Sequence, residues 1–234
     1  MLIECRDLVK SYRQEDREFQ AVDHASFSVN EGDFVTILGH SGSGKTTLLS
    51  MIGGLARPDQ GEVIINGKDC WQQDEMKLAV MRNQMIGFIF QFGSLIPSLT
   101  SIENVLLPLS FADPGMDPSG KIPLARELLD QVGLGEKENS FPAQLSGGQQ
   151  RRVAIARAFI NRPRIILADE PTGDLDEKTE REILEIFRQY NTERKTTFLV
   201  VTHNSKLVLT QNNPRTFLMK SGELSEINIE SVSC

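Results

Sequence analysis

Two hydrophobic periods alternate along this chain. Short dense apolar blocks at residues 2–9, 25–29, 33–38, 61–66, 85–90, 164–168 and 196–201 have the length of buried strands and end at Gly, Asn or polar residues. Elsewhere apolar residues recur at three- and four-residue spacing, which predicts helices over 46–52, 74–83, 101–109, 123–132, 146–160 and 177–190. The last is amphipathic through Ile183, Leu184, Ile186 and Phe187. Strands alternating with helices favour an α/β fold with a mostly parallel sheet. Residues 92–160 break that alternation: they hold several helical segments, split by a Gly/Pro-rich stretch at 113–120, and no strand. The expected organisation is therefore one domain over 1–234, with a core built from 1–91 and 161–234 and an inserted α-helical subdomain at 92–160.

Composition narrows the setting. The chain has 234 residues, 39% hydrophobic and 24% charged, enough to bury a substantial core. A net charge of −7 argues against a broad nucleic-acid surface, so no nucleic-acid partner is expected. Cys5, Cys70 and Cys234 have no paired spacing, which speaks against a zinc site, an iron–sulfur site or a disulfide framework. Glu4, Arg6 and Asp7 follow Met1 too closely for a secretory leader, and no apolar run approaches the ~20 residues that span a bilayer. A cytoplasmic protein is expected, with any membrane role exercised through a partner.

Candidate chemistry begins where the strand at 33–38 ends. Gly39-His40-Ser41-Gly42-Ser43-Gly44-Lys45-Thr46-Thr47 is a glycine-rich turn running into a helix. Bare backbone N–H groups there point at an anion, and the helix dipole adds about half a positive charge. The spacing gives Lys45 the β and γ oxygens of a nucleotide and Thr46 a Mg²⁺ ion. A second strand, at 164–168, delivers Asp169 and Glu170. One carboxylate there can hold Mg²⁺ and the other can polarise an attacking water. Leu145-Ser146-Gly147-Gly148-Gln149 is a second phosphate-directed segment. One nucleotide needs one such loop, so the second suggests service to a nucleotide held by another copy of the chain.

Taken in order, Gln91 after a strand, Leu145 to Gln149, Asp169-Glu170-Pro171-Thr172, Leu175-Asp176 and His203 after a strand resemble the motifs of ATP-binding-cassette ATPases. The resemblance extends over about residues 2–225. It implies a P-loop NTPase core with an antiparallel β region near the N-terminus, and ATP and Mg²⁺ as ligands. Gln91 is similar to the glutamine that senses Mg²⁺ and the lytic water. Ser146, Gly147, Gly148 and Gln149 are similar to the signature that caps the γ-phosphate of the opposite subunit. Asp176 matches an aspartate linking the two sites, and His203 a histidine that hydrogen-bonds the γ-phosphate. Tyr12 stands where the family places an aromatic ring against adenine. By this likeness Glu170, His203, Gln91 and Lys45 are the catalytic set, and Thr46, Gln91 and Asp169 the metal set.

The stretches 86–91, 99–105 and 168–176 further resemble the lipoprotein-release and macrolide-export branch. This implies an ATP-dependent head-to-tail dimer driving a transmembrane permease, with the cassette peripheral on the inner membrane face. Phe92, Leu95, Ile96 and Leu99 form an apolar segment joined directly to Gln91 and are the expected permease contacts. A regulatory ATPase acting through a membrane partner on cell-wall enzymes is an open alternative. A soluble ATPase of translation or repair is disfavoured by the single cassette, the acidic balance and the lack of a cysteine cluster. Two departures from the family pattern stand out: His40, where relatives more often carry proline, and Gly173-Asp174, where many have Ser-Ala. The charge on Asp174 bears on coupling between sites.

Overall fold

The first thirty residues alternate polar and apolar side chains, and they pair with themselves. In the computed structural model, which describes residues 1–14, 17–91, 94–112, 118–173, 175–204 and 215–228, β1 (Ile3–Gln14) and β2 (Arg17–Val29) form a long antiparallel hairpin. β4 (Gln60–Ile65) adds to β1, and the short β5 (Lys68–Asp69) to β4, giving a four-stranded antiparallel sheet in the order β2-β1-β4-β5. The strand expected at 2–9 thus continues to Gln14, because the hairpin partner supplies hydrogen bonds beyond the apolar run.

The second sheet has six strands. β3 (Phe34–Leu38), β6 (Ile86–Ile89), β7 (Ile165–Asp169), β8 (Thr197–Thr202), β9 (Arg215–Lys220) and β10 (Glu223–Ile227) lie in the order β10-β9-β3-β8-β7-β6, and only β10 runs antiparallel to its neighbour. β3, β7 and β8 are buried at every position, as parallel strands with both faces covered must be. The β9–β10 hairpin is absent from the hydrophobic pattern. Its strands alternate weakly, and its turn rests on Ser221 and Gly222, both at positive φ.

Seven α-helices complete the described chain: α1 (Lys45–Ile52), α2 (Glu75–Met85), α3 (Ser101–Leu106), α4 (Leu109–Ala112), α5 (Ile122–Gln131), α6 (Gly147–Phe159) and α7 (Glu177–Arg194). The helix expected over 101–109 is two helices, separated at Leu107 and Pro108, whose ring removes a backbone donor. No helix of the described residues is long and apolar enough to cross a membrane.

Strand parity divides the interior. Ile165 and Leu167 of β7, with Leu199 and Val201 of β8, face one core that holds Ile37, Leu48, Met51 and Ile52. Ile166, Ala168, Phe198 and Val200 face the other, with Leu129, Ile155, Phe159 and Phe187 from α5, α6 and α7. The residue after a strand inherits this parity. Asp169 therefore follows Leu167 toward α1, and His203 follows Val201 to the same side.

Candidate nucleotide site

β3 delivers the chain to Gly39, and the turn ends at Gly44, the N-cap of α1. Gly44 has φ 105°, and a Cβ there would lie 1.9 Å from the Ala21 carbonyl oxygen, so that position admits no side chain. The first amides of α1 are left to face the cleft. Lys45 Nζ donates to the carbonyls of Gly39 (2.8 Å) and His40 (2.9 Å). Burial lowers the Lys45 pKa, while Glu170 and Asp169 push it back up. Ser43 Oγ is buried with no partner among the described residues.

At the end of β7, Asp169 Oδ2 accepts from Thr46 Oγ1 at 2.7 Å. Burial raises the Asp169 pKa; the Thr46 hydrogen bond lowers it, Glu170 raises it, and Lys45 and Arg151 lower it. One hydroxyl and one carboxylate suit Mg²⁺, which takes few protein ligands and completes an octahedron with phosphate oxygens and water. Glu170 sits at φ 46°, a left-handed conformation costly for a side-chain residue. Its backbone N–H donates to Val201 O, and its carboxylate accepts from Thr202 Oγ1 (2.7 Å) and the His203 amide (2.9 Å). His203 Nδ1 lies 2.8 Å from Glu170 Oε1, a hydrogen bond in any form that protonates Nδ1.

Tyr12, the residues from His40 to Thr47, Gln91, Asp169, Glu170 and His203 all line one cleft of ≈ 610 Å³. Gly39 sits just behind it, as a carbonyl acceptor for Lys45. Phe19 also lines it and was not legible in the linear sequence. It pairs directly with Tyr12 across the β1–β2 hairpin, ring centroids 6.1 Å apart and 36° inclined. Hairpin register is the one signal that could have found it. Two half-exposed aromatic rings at the rim can take the face of a nucleobase.

Ser146, Gly147, Gly148 and Gln149 do not line this cleft. They begin α6, where Gln149 N donates to Ser146 Oγ and Ser146 N donates to Gln149 Oε1, a reciprocal cap. Ser146 and Gly147 are exposed. Asp176, also exposed, caps α7 through the amides of Lys178 and Thr179. Of the expected permease contacts, Leu95 packs on the second core, Leu99 is half-buried and Ile96 is exposed, while Phe92 lies outside the described residues, as does Asp174. The larger apolar feature is a groove of ≈ 380 Å³ bordered by Leu55, Phe88, Phe90 and Phe111, with Arg82 and Arg157.

Comparison with known proteins returns one family and closely similar chains. Residues 22–173 match the family described as ABC transporter. An uncharacterized ABC transporter ATP-binding protein of Thermotoga maritima is 48% identical over 207 residues, covering 88% of this chain and 87% of its own. The macrolide export ATP-binding/permease protein MacB of Syntrophobacter fumaroxidans is 44% identical over 87% of this chain. MacB of Rhodopirellula baltica is 41% identical over 96%. The chain spans only 28% and 33% of those two MacB proteins. Among solved structures, the dimeric post-hydrolysis state of the ATP-binding cassette MJ0796 bound to ADP and Pi superposes with TM-score 0.92 at 40% identity, covering 97% of this chain and 99% of that one. A dimeric structure of MJ0796 described as a bacterial ABC transporter cassette gives TM-score 0.91.

Proposed function

Since this chain belongs to the ABC transporter family and is an ATP-hydrolysing cassette that uses ATP and Mg²⁺, we propose that it works as a pair of identical chains closing on ATP to drive a membrane permease in lipoprotein or macrolide export. The observation carrying the reading is the single cleft that gathers the glycine-rich turn, two carboxylates, Gln91, His203 and an aromatic rim. The exposed cap of α6, turned to no nucleotide of its own chain, supports a second copy completing the site. The titles of the similar structures describe dimers, and the MacB relatives carry ATP-binding and permease functions in one protein. Their greater length leaves room for the membrane part this chain lacks among its described residues. Residues 92–160 then form the helical subdomain, and the protein sits at the inner membrane face.

In this mechanism the α1 amides and Lys45 bind the β- and γ-phosphates, Lys45 exchanging two carbonyl partners for phosphate oxygens. Thr46 and Asp169 would hold Mg²⁺, which would supply positive charge against the charge developing on those oxygens. Tyr12 and Phe19 seat the base. Glu170 accepts from Thr202 and His203 yet keeps lone pairs for a water, which it orients for in-line attack on the γ-phosphorus. His203 fixes the carboxylate and reaches toward the γ-phosphate, Gln91 meets the water and would contact the metal, and Ser146 to Gln149 of the second copy close over the top. Glu170→Gln should keep ATP binding, trap a dimer and slow turnover at least about a hundredfold. A variant that remained monomeric with ATP on size-exclusion chromatography would overturn the closure mechanism.

A further inference from the structure

Arg151 lies one turn into α6, directly behind the segment Ser146 to Gln149, and is only 5% exposed. Its guanidinium reaches three backbone carbonyls. Nη1 donates to Glu170 O at 2.8 Å and to Gly173 O, and Nη2 donates to Gln91 O. Those acceptors belong to the chain just beyond β6 and β7, the two strand ends that carry the catalytic glutamine and glutamate. Gly173 makes the room: a Cβ at that position would stand 2.9 Å from Nη1. A buried cation costs several kcal/mol unless its donors are satisfied. The planar fork can serve carbonyls in divergent directions, which a lysine ammonium or a single amide cannot.

We propose that Arg151 is a positioning residue that ties the cap of α6 to the backbone of Gln91 and Glu170 in the same chain. The consequence is a link between two active sites. In the head-to-tail pair, on which this inference rests, the cap of α6 meets the partner's nucleotide while Gln91 and Glu170 serve the chain's own. A shift of α6 on meeting that nucleotide moves the guanidinium, and the guanidinium moves the catalytic backbone. Gly173, which departs from the family's commoner serine, is the space that lets this connection pass.

The test uses the full chain with Arg151→Met, Arg151→Lys, Gly173→Ala and the Met/Ala double variant. Arg151→Met should lower kcat about tenfold, leave affinity for a non-hydrolysable ATP analogue within about twofold, and bring the Hill coefficient for ATP, expected above one in the wild type, down to about one. Arg151→Lys should fail to restore kcat. Gly173→Ala, which keeps the arginine but intrudes on it, should reproduce the loss. Because both changes break one contact, the double variant should be no worse than Arg151→Met. Wild-type kcat and Hill coefficient in Arg151→Met would overturn the assignment. So would additive losses in the double variant, or a kcat loss matched by falls in analogue affinity and melting temperature. Glu170→Gln run alongside separates the two readings: failure of that variant to dimerise sinks the paired-chain mechanism, whereas dimerisation with an unaffected Arg151→Met sinks the link alone.

Discussion

Asp169 carries a cost that its proposed Mg²⁺ role requires. It is 5% exposed at the end of β7, and burial lifts its pKa against the opposing pull of Thr46, Lys45 and Arg151. With the folded pKa above the unfolded one, the native state holds the proton more tightly. Stability from this group is therefore complete below the unfolded pKa and is lost as pH rises through the folded pKa. Asp169→Asn removes the buried charge while its amide oxygen can still accept from Thr46. The melting temperature of the nucleotide-free protein should rise by about 2–4 °C at neutral pH. That gain should shrink on acidification, as the wild-type carboxyl takes up its proton. Mg²⁺-dependent hydrolysis should be lost in the same variant. Scanning fluorimetry at several pH values checks the sign, and an unchanged or lower melting temperature at neutral pH would refute it.

Elements here are begun by side chains that the sequence displays and joined by ones it hides. Asp74, Thr100, Ser146 and Asp176 each accept from an amide in the first turn of a helix, and all stand where the polar-to-apolar switch predicts a start. Asn104 is of the other kind. Fully buried in α3, it accepts from Ile96 N at 2.8 Å and donates to the carbonyls of Ile96, Leu99 and Thr100, pinning residues 96–100 onto the helix. Asn104→Ala strands several part-buried backbone groups and should destabilise by about 1–3 kcal/mol. The loss should localise: hydrogen exchange at the Ile96 amide accelerates while nucleotide affinity is kept, and uniform acceleration across the sheet would contradict a local pin.

At the scale of the whole molecule, we propose the groove beside α2 and α4 as a surface for a permease, alongside the contacts expected at residues 92–99. Phe111 is 67% exposed at its edge, whereas Leu95 is partly packed into the second core. Exposed apolar area with two arginines beside it suits a helix bearing both apolar and acidic side chains. Phe111→Asp should abolish co-purification with the membrane subunit and leave the melting temperature unchanged. Leu95→Asp should instead lower the melting temperature, because it buries a charge in a core. Retained co-purification by Phe111→Asp would place the contact elsewhere.

The linear sequence determined the glycine-rich turn, the carboxylates at the end of β7, Gln91, His203 and nearly every helix and parallel strand. Each is a local event: a strand's apolar run ends, and the next residue or turn is chemically conspicuous. Register and parity lie beyond it. Phe19 reaches the rim of the cleft only because hairpin pairing sets it opposite Tyr12. Asp169 meets Thr46 because parity turns it toward α1, and the weakly patterned β9 and β10 are strands only because β3 offers an edge. Arg151 is one more basic residue in a helical period until three carbonyls from two strand ends converge on it. The sequence names residues whose chemistry is intrinsic, and the tertiary structure decides those whose role consists of what folding brings beside them.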